Sequence, residues 1–313
     1  MTLQVGVIGL GNMGSVLAKR LVDDGCEVIG FDLDTGALEA ATEHGVVAAD
    51  SVADVATRSE VILTSLPDPD TVDAVYRGED GILANAEAGS VALETSTIDP
   101  HTTQDLEEVA RGHGVALLDA PVSGGVGRAE RGTLTVMVGG DEATFEEERV
   151  QRVLRAFGAD LIHGGDIGAG HTLKLINNVI SASTAAASLE GAALASEIGV
   201  DWEAFCEAVG TSSGASYSFK KKVPRALNRN FDANFTLNMG LKDTRLALEM
   251  ARAYDLPTPM ADAAHQLRTA GVKRGYGEEG SQAVIKIFEQ YTEQLVEAPG
   301  GIDEDILAWE EKG

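Results

Sequence analysis

The first half of the chain alternates between short apolar runs and longer segments in which apolar residues recur at helical spacing. Short apolar runs bounded by turn residues are typical of strands buried on both faces of a parallel sheet. The alternation therefore predicts a doubly wound α/β domain. We predict strands at residues 5–8, 27–31, 61–64, 90–93, 115–118 and 134–139, and helices at residues 12–24, 34–44 and 141–157.

The pattern changes after Gly170, where the strand signal ends and alanine becomes frequent. A long helix is predicted from about His171 to Ile198. We therefore expect an N-terminal α/β domain, residues 1–166, followed by an all-α C-terminal domain, residues 167–313, joined by this long interdomain helix. Further helices are predicted at residues 202–209, 241–254 and 282–295.

Length and composition fit a folded protein of two domains, since the chain has 313 residues, of which 44% are hydrophobic and 24% charged. No membrane span is expected, because the most apolar stretch, Leu173–Ala195, contains Lys174 and Glu190. The first residues lack the positive segment of a signal peptide. Cys26 and Cys206 form no metal-binding spacing, so we expect structural thiols, no metal site and a reduced cytoplasmic location.

The chain is strongly acidic, with a formal net charge of −26. This charge argues against non-specific binding to nucleic acid and against a basic patch that binds membranes. Lysine is scarce, with nine residues against fifteen arginines. We favour a halophilic protein adapted to high cytoplasmic salt, because salt screens the repulsion among so many acids. An ordinary acidic cytosolic protein is the alternative.

The first predicted strand runs into a glycine-rich loop of the form G-x-G-x-x-G, which opens the first predicted helix. There the first glycine permits a tight turn, the second lets the backbone approach a pyrophosphate, and the third permits close helix–strand packing. Asp32 ends the second strand, where a carboxylate binds the ribose 2′-hydroxyl of NAD and repels the 2′-phosphate of NADP. We predict a Rossmann domain that binds NAD, with Arg58 as the nearby cation that could reverse this preference. The predicted contacts come from Gly9, Leu10, Gly11, Asn12, Met13, Gly14 and Asp32.

Four blocks of sequence follow one another along nearly the whole chain: GLGNMG at 9–14, DAPVSGG at 119–125 with GTLTVMVGG at 132–140, GAG at 168–170 with KLINN at 174–178, and Phe235 with LKD at 241–243 and LA at 246–247. Together they resemble the β-hydroxyacid dehydrogenases of the 6-phosphogluconate dehydrogenase superfamily, a family that includes 3-hydroxyisobutyrate dehydrogenase and tartronate semialdehyde reductase. The resemblance implies an NAD-dependent oxidoreductase that interconverts a small 3-hydroxy acid and its semialdehyde. It also implies a small carboxylate substrate and a homodimer or homotetramer.

Lys174 is the candidate catalytic residue. It lies four residues before Asn178, so the two side chains share one face of the predicted long helix. A lysine in so apolar a helix is either a snorkelling side chain or a partly buried acid–base group. The resemblance implies the second, because the family's catalytic lysine matches Lys174, and it implies that Asn178 helps to orient the substrate. His171 could tune this lysine, although a capping or surface role is favoured.

The loop formed by Ser123, Gly124 and Gly125 offers a hydroxyl and exposed N–H groups, which suit a carboxylate. A plain glycine-rich turn is the alternative, and the resemblance implies that this loop binds the substrate carboxylate. The resemblance also implies cofactor contacts at strand ends and in the fourth block, for which ordinary turns and, for Lys242, an ion pair with Asp243 are the alternatives. These contacts are Leu66, Pro67, Ser96, Thr97, Lys242 and, more weakly, Thr71.

Two other functions stay open at this point. Imine reductases resemble this chain but typically lack the lysine, so Lys174 counts against that activity. A non-catalytic NAD-binding module would be favoured by loss of the lysine or of the Ser-Gly-Gly loop, and both are intact. The one basic cluster either attracts an anionic substrate or forms a solvated face or a subunit contact, and it consists of Lys220, Lys221, Lys222, Arg225 and Arg229.

Overall fold

The computed structural model describes residues 2–233, 235–292 and 294–304. The chain forms two compact units, Met1–Leu175 and Ile176–Gly313. The sequence-based boundary between residues 166 and 167 stays a prediction. No helix in the described ranges is both long enough and apolar enough to cross a membrane.

The first unit contains a nine-stranded sheet: β1 (Gln4–Ile8), β2 (Glu27–Phe31), β3 (Val47–Ala48), β4 (Val61–Thr64), β5 (Val91–Glu94), β6 (Ala116–Asp119), β7 (Val122–Ser123), β8 (Leu134–Gly139) and β9 (Gly158–Gly165). Its order is β3-β2-β1-β4-β5-β6-β8-β7, and β9 also pairs with β8. In this order, each neighbouring pair from β3 through β2, β1, β4 and β5 to β6 is parallel. Strand β8 is antiparallel to both β6 and β7. The predicted doubly wound Rossmann fold is confirmed, and each predicted strand begins within one residue of its expected start.

Helices follow most of these strands: α1 (Gly14–Asp23), α2 (Thr35–Thr42), α3 (Val52–Thr57), α4 (Pro69–Arg77), α5 (Ile82–Asn85), α6 (Pro100–Gly112), α7 (Gly125–Glu130), α8 (Glu142–Phe145) and α9 (Glu148–Phe157). Successive side chains of a central strand enter two different cores. Val61 and Leu63 of β4 pack in one core with Leu17 of α1, and Ile62 packs in the other with Leu106 of α6. Burial on both faces explains why these strands read as continuous apolar runs.

The prediction of one helix over residues 141–157 is wrong, because the segment forms α8 and α9. The carboxylate of Asp141 caps α8 by accepting a hydrogen bond from the Thr144 N–H at 2.8 Å. Glu147 is extended and stands as the N-cap residue of α9. Glu147 and Glu148 therefore begin a second helix, where the helix dipole favours negative charge.

The predicted long helix is confirmed as α10 (Ala169–Ile198). The further helices are α11 (Trp202–Gly210), α12 (Tyr217–Leu227), α13 (Leu237–Ala253), α14 (Pro259–Lys273), a 3-10 helix (Ser281–Val284) and α15 (Ile285–Thr292). The sequence pattern did not predict α12 or α14, and it merged the 3-10 turn with α15 into one helix. The core of the second unit includes Leu189, Phe219, Val223, Leu237 and Ile285.

Both cysteines are buried free thiols. Burial raises the pKa of Cys206 to about 11 and also raises the pKa of Cys26. A raised pKa leaves little of the reactive thiolate at neutral pH. Both residues therefore act as small apolar packing groups in this structure.

Candidate active site

The predicted cofactor loops of the first unit all leave the sheet at the same edge. Because β1, β2, β4, β5 and β6 are parallel, their carboxyl ends lie side by side. Backbone hydrogen bonds join the loops: the Gly9 N–H donates to the Phe31 carbonyl at 3.0 Å, and the Ser65 N–H donates to the Ile8 carbonyl at 2.9 Å. In doubly wound sheets, nucleotides bind at this edge.

The glycine-rich loop has the geometry of a dinucleotide cradle. Gly9 has a φ of +89°, and a Cβ atom there would lie 2.3 Å from the Ser65 carbonyl oxygen. A Cβ atom on Gly14 would lie 1.9 Å from the Gly9 carbonyl oxygen, whereas one on Gly11 would have no atom within 4 Å. The first and third glycines are thus fixed by packing, and the second faces open space at the start of α1. That space suits an approaching pyrophosphate.

Asp32 lies directly after β2 and is half-buried. Its Oδ2 accepts a hydrogen bond from the Leu10 N–H at 2.6 Å, and its Oδ1 accepts one from the Asp34 N–H at 2.8 Å. Each carboxylate oxygen can accept a second hydrogen bond, so a ribose hydroxyl can still bind. Arg58, the cation that could reverse the preference for NAD, pairs with Asp54 at 3.0 Å.

A buried carboxylate that the sequence analysis left without a role organises two of the cofactor loops. Glu94, at the end of β5, is fully buried. Its oxygens accept hydrogen bonds from the Thr64 hydroxyl at 2.6 Å and from the Ser96 N–H at 2.5 Å. The Ser96 hydroxyl in turn accepts the Leu66 N–H at 2.8 Å. Burial, and then the charge of Glu94, raise the pKa of Tyr76 well above its usual value.

Three more predicted cofactor contacts, Pro67, Thr71 and Thr97, lie in the segments that follow strands β4 and β5. Thr71 lies in the first turn of α4, and its N–H donates to the Asp68 carboxylate at 2.8 Å. Pro67 is exposed, and Thr97 is half-buried just beyond the end of β5. Their roles toward a cofactor stay predictions.

The predicted carboxylate loop leaves the short strand β7. Ser123 pairs with Thr135 of β8, and Gly124 and Gly125 have φ angles of +136° and +73°. Such angles favour glycine, because other residues rarely adopt them. A Cβ atom on Gly125 would have no neighbour within 4 Å, so this backbone is open to a ligand.

Lys174 lies in the second turn of α10 and is only 9% exposed. The start of this helix is held by Asp119, the last residue of β6. The carboxylate of Asp119 accepts hydrogen bonds from the N–H groups of Gly168 and His171, each at 2.7 Å. This role of Asp119 was not predicted from the sequence, although an acid at the end of a predicted strand was a visible signal.

In the second unit, Asp243 connects two of the predicted residues. Asp243 is 1% exposed, and its Oδ2 accepts a hydrogen bond from the Asn178 side-chain amide at 2.7 Å. The Lys242 ammonium lies 3.6 Å from its Oδ1. The ion pair considered as the alternative for Lys242 is thus present, and its cofactor role stays a prediction. The contact between Asp243 and Asn178 was not predicted from the sequence.

The basic cluster on α12 and just after it is largely engaged within the unit. The Lys222 ammonium donates to the Ser281 hydroxyl, and burial, followed by the charge of nearby Arg268, lowers the pKa of Lys222 to about 7. Arg229 pairs with Glu289. These contacts favour a structural role over a free cationic patch. No group of three or more His, Cys, Asp or Glu residues in the described part of the chain is arranged to hold a metal ion.

Two protein-family models match the chain and together span most of it. Residues 4–165 match the NAD binding domain of 6-phosphogluconate dehydrogenase. Residues 168–288 match a model described as NAD-binding of NADP-dependent 3-hydroxyisobutyrate dehydrogenase.

Individual proteins are similar over nearly their whole length. The 2-(hydroxymethyl)glutarate dehydrogenase of Eubacterium barkeri is 38% identical over 93% of this chain and 96% of that protein. The NAD-dependent L-serine dehydrogenase of Pseudomonas aeruginosa is 34% identical over 91% of this chain and 98% of its own. A solved structure of 3-hydroxyisobutyrate dehydrogenase from Mycobacterium tuberculosis with L-serine is 30% identical, covers 92% of this chain and 99% of its own, and has a TM-score of 0.84.

Proposed function

The chain belongs to the β-hydroxyacid dehydrogenase family of NAD-dependent oxidoreductases, and from this premise we propose that it interconverts a small 3-hydroxy acid and its semialdehyde. The substrates named for three relatives are 2-(hydroxymethyl)glutarate, L-serine and 3-hydroxyisobutyrate. All three contain the unit HOCH2–CH–COO⁻ and differ in the remaining substituent on the central carbon. We propose that the substrate is a small acid with this unit. It is either of the 3-hydroxyisobutyrate type or of the type formed by reducing 2-hydroxy-3-oxopropionate.

The observation that carries this proposal is the buried Lys174 on a helix anchored to the carboxyl edge of the sheet. In oxidation, neutral Lys174 removes the proton of the hydroxyl group, and in reduction its ammonium returns that proton. When bound, NAD supplies the acceptor for the hydride. The loop of Ser123, Gly124 and Gly125 would hold the carboxylate, and Asn178 would orient the hydroxyl, so that the reacting carbon is correctly placed.

A substrate panel tests this function. The purified protein with NAD should oxidise at least one acid among 3-hydroxyisobutyrate, L-serine, glycerate and 2-(hydroxymethyl)glutarate. The methyl ester of the best acid should show a higher KM and a lower kcat, because a substrate without its carboxylate loses the aligned geometry. Equal turnover of acid and ester would contradict the role of the Ser123 loop.

Assays in the reductive direction, with NADH and either semialdehydes or a cyclic imine, separate the alternatives. An imine reductase would oxidise its nicotinamide cofactor with a cyclic imine and leave every semialdehyde untouched. A non-catalytic module would bind NADH, measured by fluorescence, without turning over any compound of either class. Lys174 counts against the first alternative, because imine reductases typically lack this lysine. The presence of both the lysine and the Ser-Gly-Gly loop counts against the second.

We expect NAD to be preferred over NADP. The carboxylate of Asp32 accepts a ribose 2′-hydroxyl but repels a 2′-phosphate, and Arg58 is engaged with Asp54. The ratio of kcat/KM for NAD to that for NADP should be at least about tenfold, which corresponds to about 1.4 kcal/mol. A preference for NADP would show that Asp32 does not set the choice, in line with the NADP-dependent enzyme in one matching description.

We expect a halophilic character because of the net charge of −26. Salt shortens the range of electrostatic repulsion from about 30 Å at 0.01 M to about 3 Å at 1 M. We therefore expect the melting temperature to rise as KCl increases from 10 mM to molar concentration. NaCl should act similarly, since screening depends on ionic strength. A flat melting temperature across this range would remove the case for salt adaptation and leave an ordinary acidic protein.

We also expect a homodimer or homotetramer in the cytoplasm. Apolar side chains of α10 are exposed in the single chain, with Ile180 at 59%, Leu194 at 61% and Ile198 at 68%. Large apolar side chains exposed along one helix suit a contact with a second subunit. Light scattering that gives the mass of one chain, 32.7 kDa, would contradict this expectation. Two free thiols agree with a reducing compartment.

A further inference from the structure

Asp119 is a carboxylate without exposure to water, placed at the last position of β6. Its two oxygens each accept one backbone N–H, from Gly168 just before α10 and from His171 in the first turn of that helix. Hydrogen bonds to a charged acceptor are roughly twice as strong as neutral ones. The negative charge also lies at the positive end of a 30-residue helix. The start of α10 is therefore fixed to the sheet by one side chain.

The space around this carboxylate is shaped by two glycines. A Cβ atom on Gly139 would lie 2.4 Å from Oδ1 of Asp119. A Cβ atom on Gly170 would lie 2.4 Å from the Met137 carbonyl oxygen and 2.8 Å from Oδ2 of Asp119. Neither position admits a larger residue while Asp119 stays in place. The pocket thus holds the carboxylate in one orientation.

The contact lies between two parts of the proposed site. Lys174 is three residues beyond His171, which places its Cα about 4.5 Å further along the helix axis. In the other direction, Ala120 and Pro121 connect Asp119 to the strand that ends in Ser123. A shift at Asp119 would therefore move the proton-transfer group relative to the loop that holds the substrate.

We propose that Asp119 is a positioning residue that sets the location of Lys174 for proton transfer. The proposal rests on the proposed function, in which Lys174 exchanges the proton. Asp119 does not contact substrate in this scheme, and it acts only through the lysine. Ordinary helix capping would need no more than an exposed serine or aspartate, as Asp201 provides on α11.

A double-mutant cycle in turnover tests the proposal. Asp119→Asn keeps one acceptor oxygen and turns an N–H donor toward the second backbone N–H, which displaces the start of α10. We expect kcat to fall by about 10- to 100-fold, since a displacement near 1 Å can cost a hundredfold. KM for the acid and Kd for NADH should each change by less than about threefold. In the Lys174→Ala background, Asp119→Asn should lower the remaining kcat by less than about threefold, because the group it positions is absent.

The controls separate positioning from stability. Asp201→Ala removes the capping side chain from a helix that carries no proposed site residue, and it should lower the melting temperature without a change in kcat. If Asp119→Asn does not fold, Gly168→Ala disturbs the same contact from the donor side, because its φ of +89° strains an alanine. That variant should show the same dependence on Lys174 with a smaller loss.

Two results would overturn the proposal in distinguishable ways. An equal fold-loss of kcat in the wild-type and Lys174→Ala backgrounds, or a loss of NADH binding, would reduce Asp119 to a structural role and leave the proposed function intact. Nearly unchanged kcat in the single variant Lys174→Ala would instead remove the proton-transfer role of Lys174, and the positioning role would fall with it, whereas failure to oxidise any acid of the substrate panel would overturn the proposed function itself.

Discussion

Lys174→Ala should lower turnover by about 10²–10⁴ in both directions, the usual contribution of a positioned general acid or base. Affinity for NADH should stay nearly unchanged, because the proposed pyrophosphate contacts come from the glycine-rich loop that begins at Gly9 and do not include Lys174. The loss should therefore appear in kcat. Steady-state kinetics for oxidation and reduction, together with fluorescence titration of NADH, measure the two quantities. Lys221→Ala, at an exposed lysine of α12, is the control for removal of one positive charge.

The arginine variant sharpens this prediction. Lys174→Arg keeps the positive charge, but a guanidinium does not lose its proton near neutral pH, so oxidation should be nearly as slow as in the alanine variant. In the wild type, oxidation should be faster at alkaline pH, where more of the lysine is neutral, and reduction should be faster at lower pH. If Lys174→Ala keeps most of its kcat in both directions, another residue carries the proton, and His171 is the first candidate.

Gly11→Ala should weaken cofactor binding without loss of stability. In the structure a Cβ atom at this position meets no atom within 4 Å, and Gly11 does not have a positive φ, so an alanine fits the protein without strain. The same methyl group would occupy the space into which a pyrophosphate must come. We expect Kd for NADH to rise at least about tenfold, or about 1.4 kcal/mol, with an unchanged melting temperature.

Gly14→Ala is the matched control in the same loop. Its Cβ atom would lie 1.9 Å from the Gly9 carbonyl oxygen, so the loop must shift and unfolding should become easier by about 1–3 kcal/mol or more. The two glycines thus separate a clash with a ligand from a clash within the protein. Unchanged affinity for NADH in Gly11→Ala would place the pyrophosphate elsewhere and remove the assignment of this loop.

The sequence predicted the first unit well because its strands carry their signal locally. Ile62 and its two neighbours are all buried, so strand β4 appears as an uninterrupted apolar run whichever core each side chain enters. The glycine-rich loop is equally local, since Gly9 and Gly14 meet each other within six residues. Such features can be predicted without knowledge of the tertiary fold.

Features that depend on distant contacts could not be predicted in this way. Strand β9 is defined by its pairing with β8, and its side chains are largely exposed, so it carries little apolar periodicity. The Asp119 contact joins residues 49 and 52 positions apart in the chain, and Asn178 and Asp243 are 65 positions apart. A single sequence gives no sign of which polar groups will meet across such separations.

The crowding around Asp119 limits which amino acids related sequences can carry at the neighbouring positions 139 and 170. A methyl group on Gly139 or Gly170 would clash with this carboxylate and also with backbone atoms, among them the Ala169 nitrogen and the Met137 carbonyl oxygen, so replacing the acid would not free either glycine. A substitution of either glycine alone would expel the acid, and loss of the acid alone would leave two buried N–H groups without acceptors. Related sequences should therefore keep both glycines even where position 119 differs, because the surrounding backbone leaves no room for a side chain at either position.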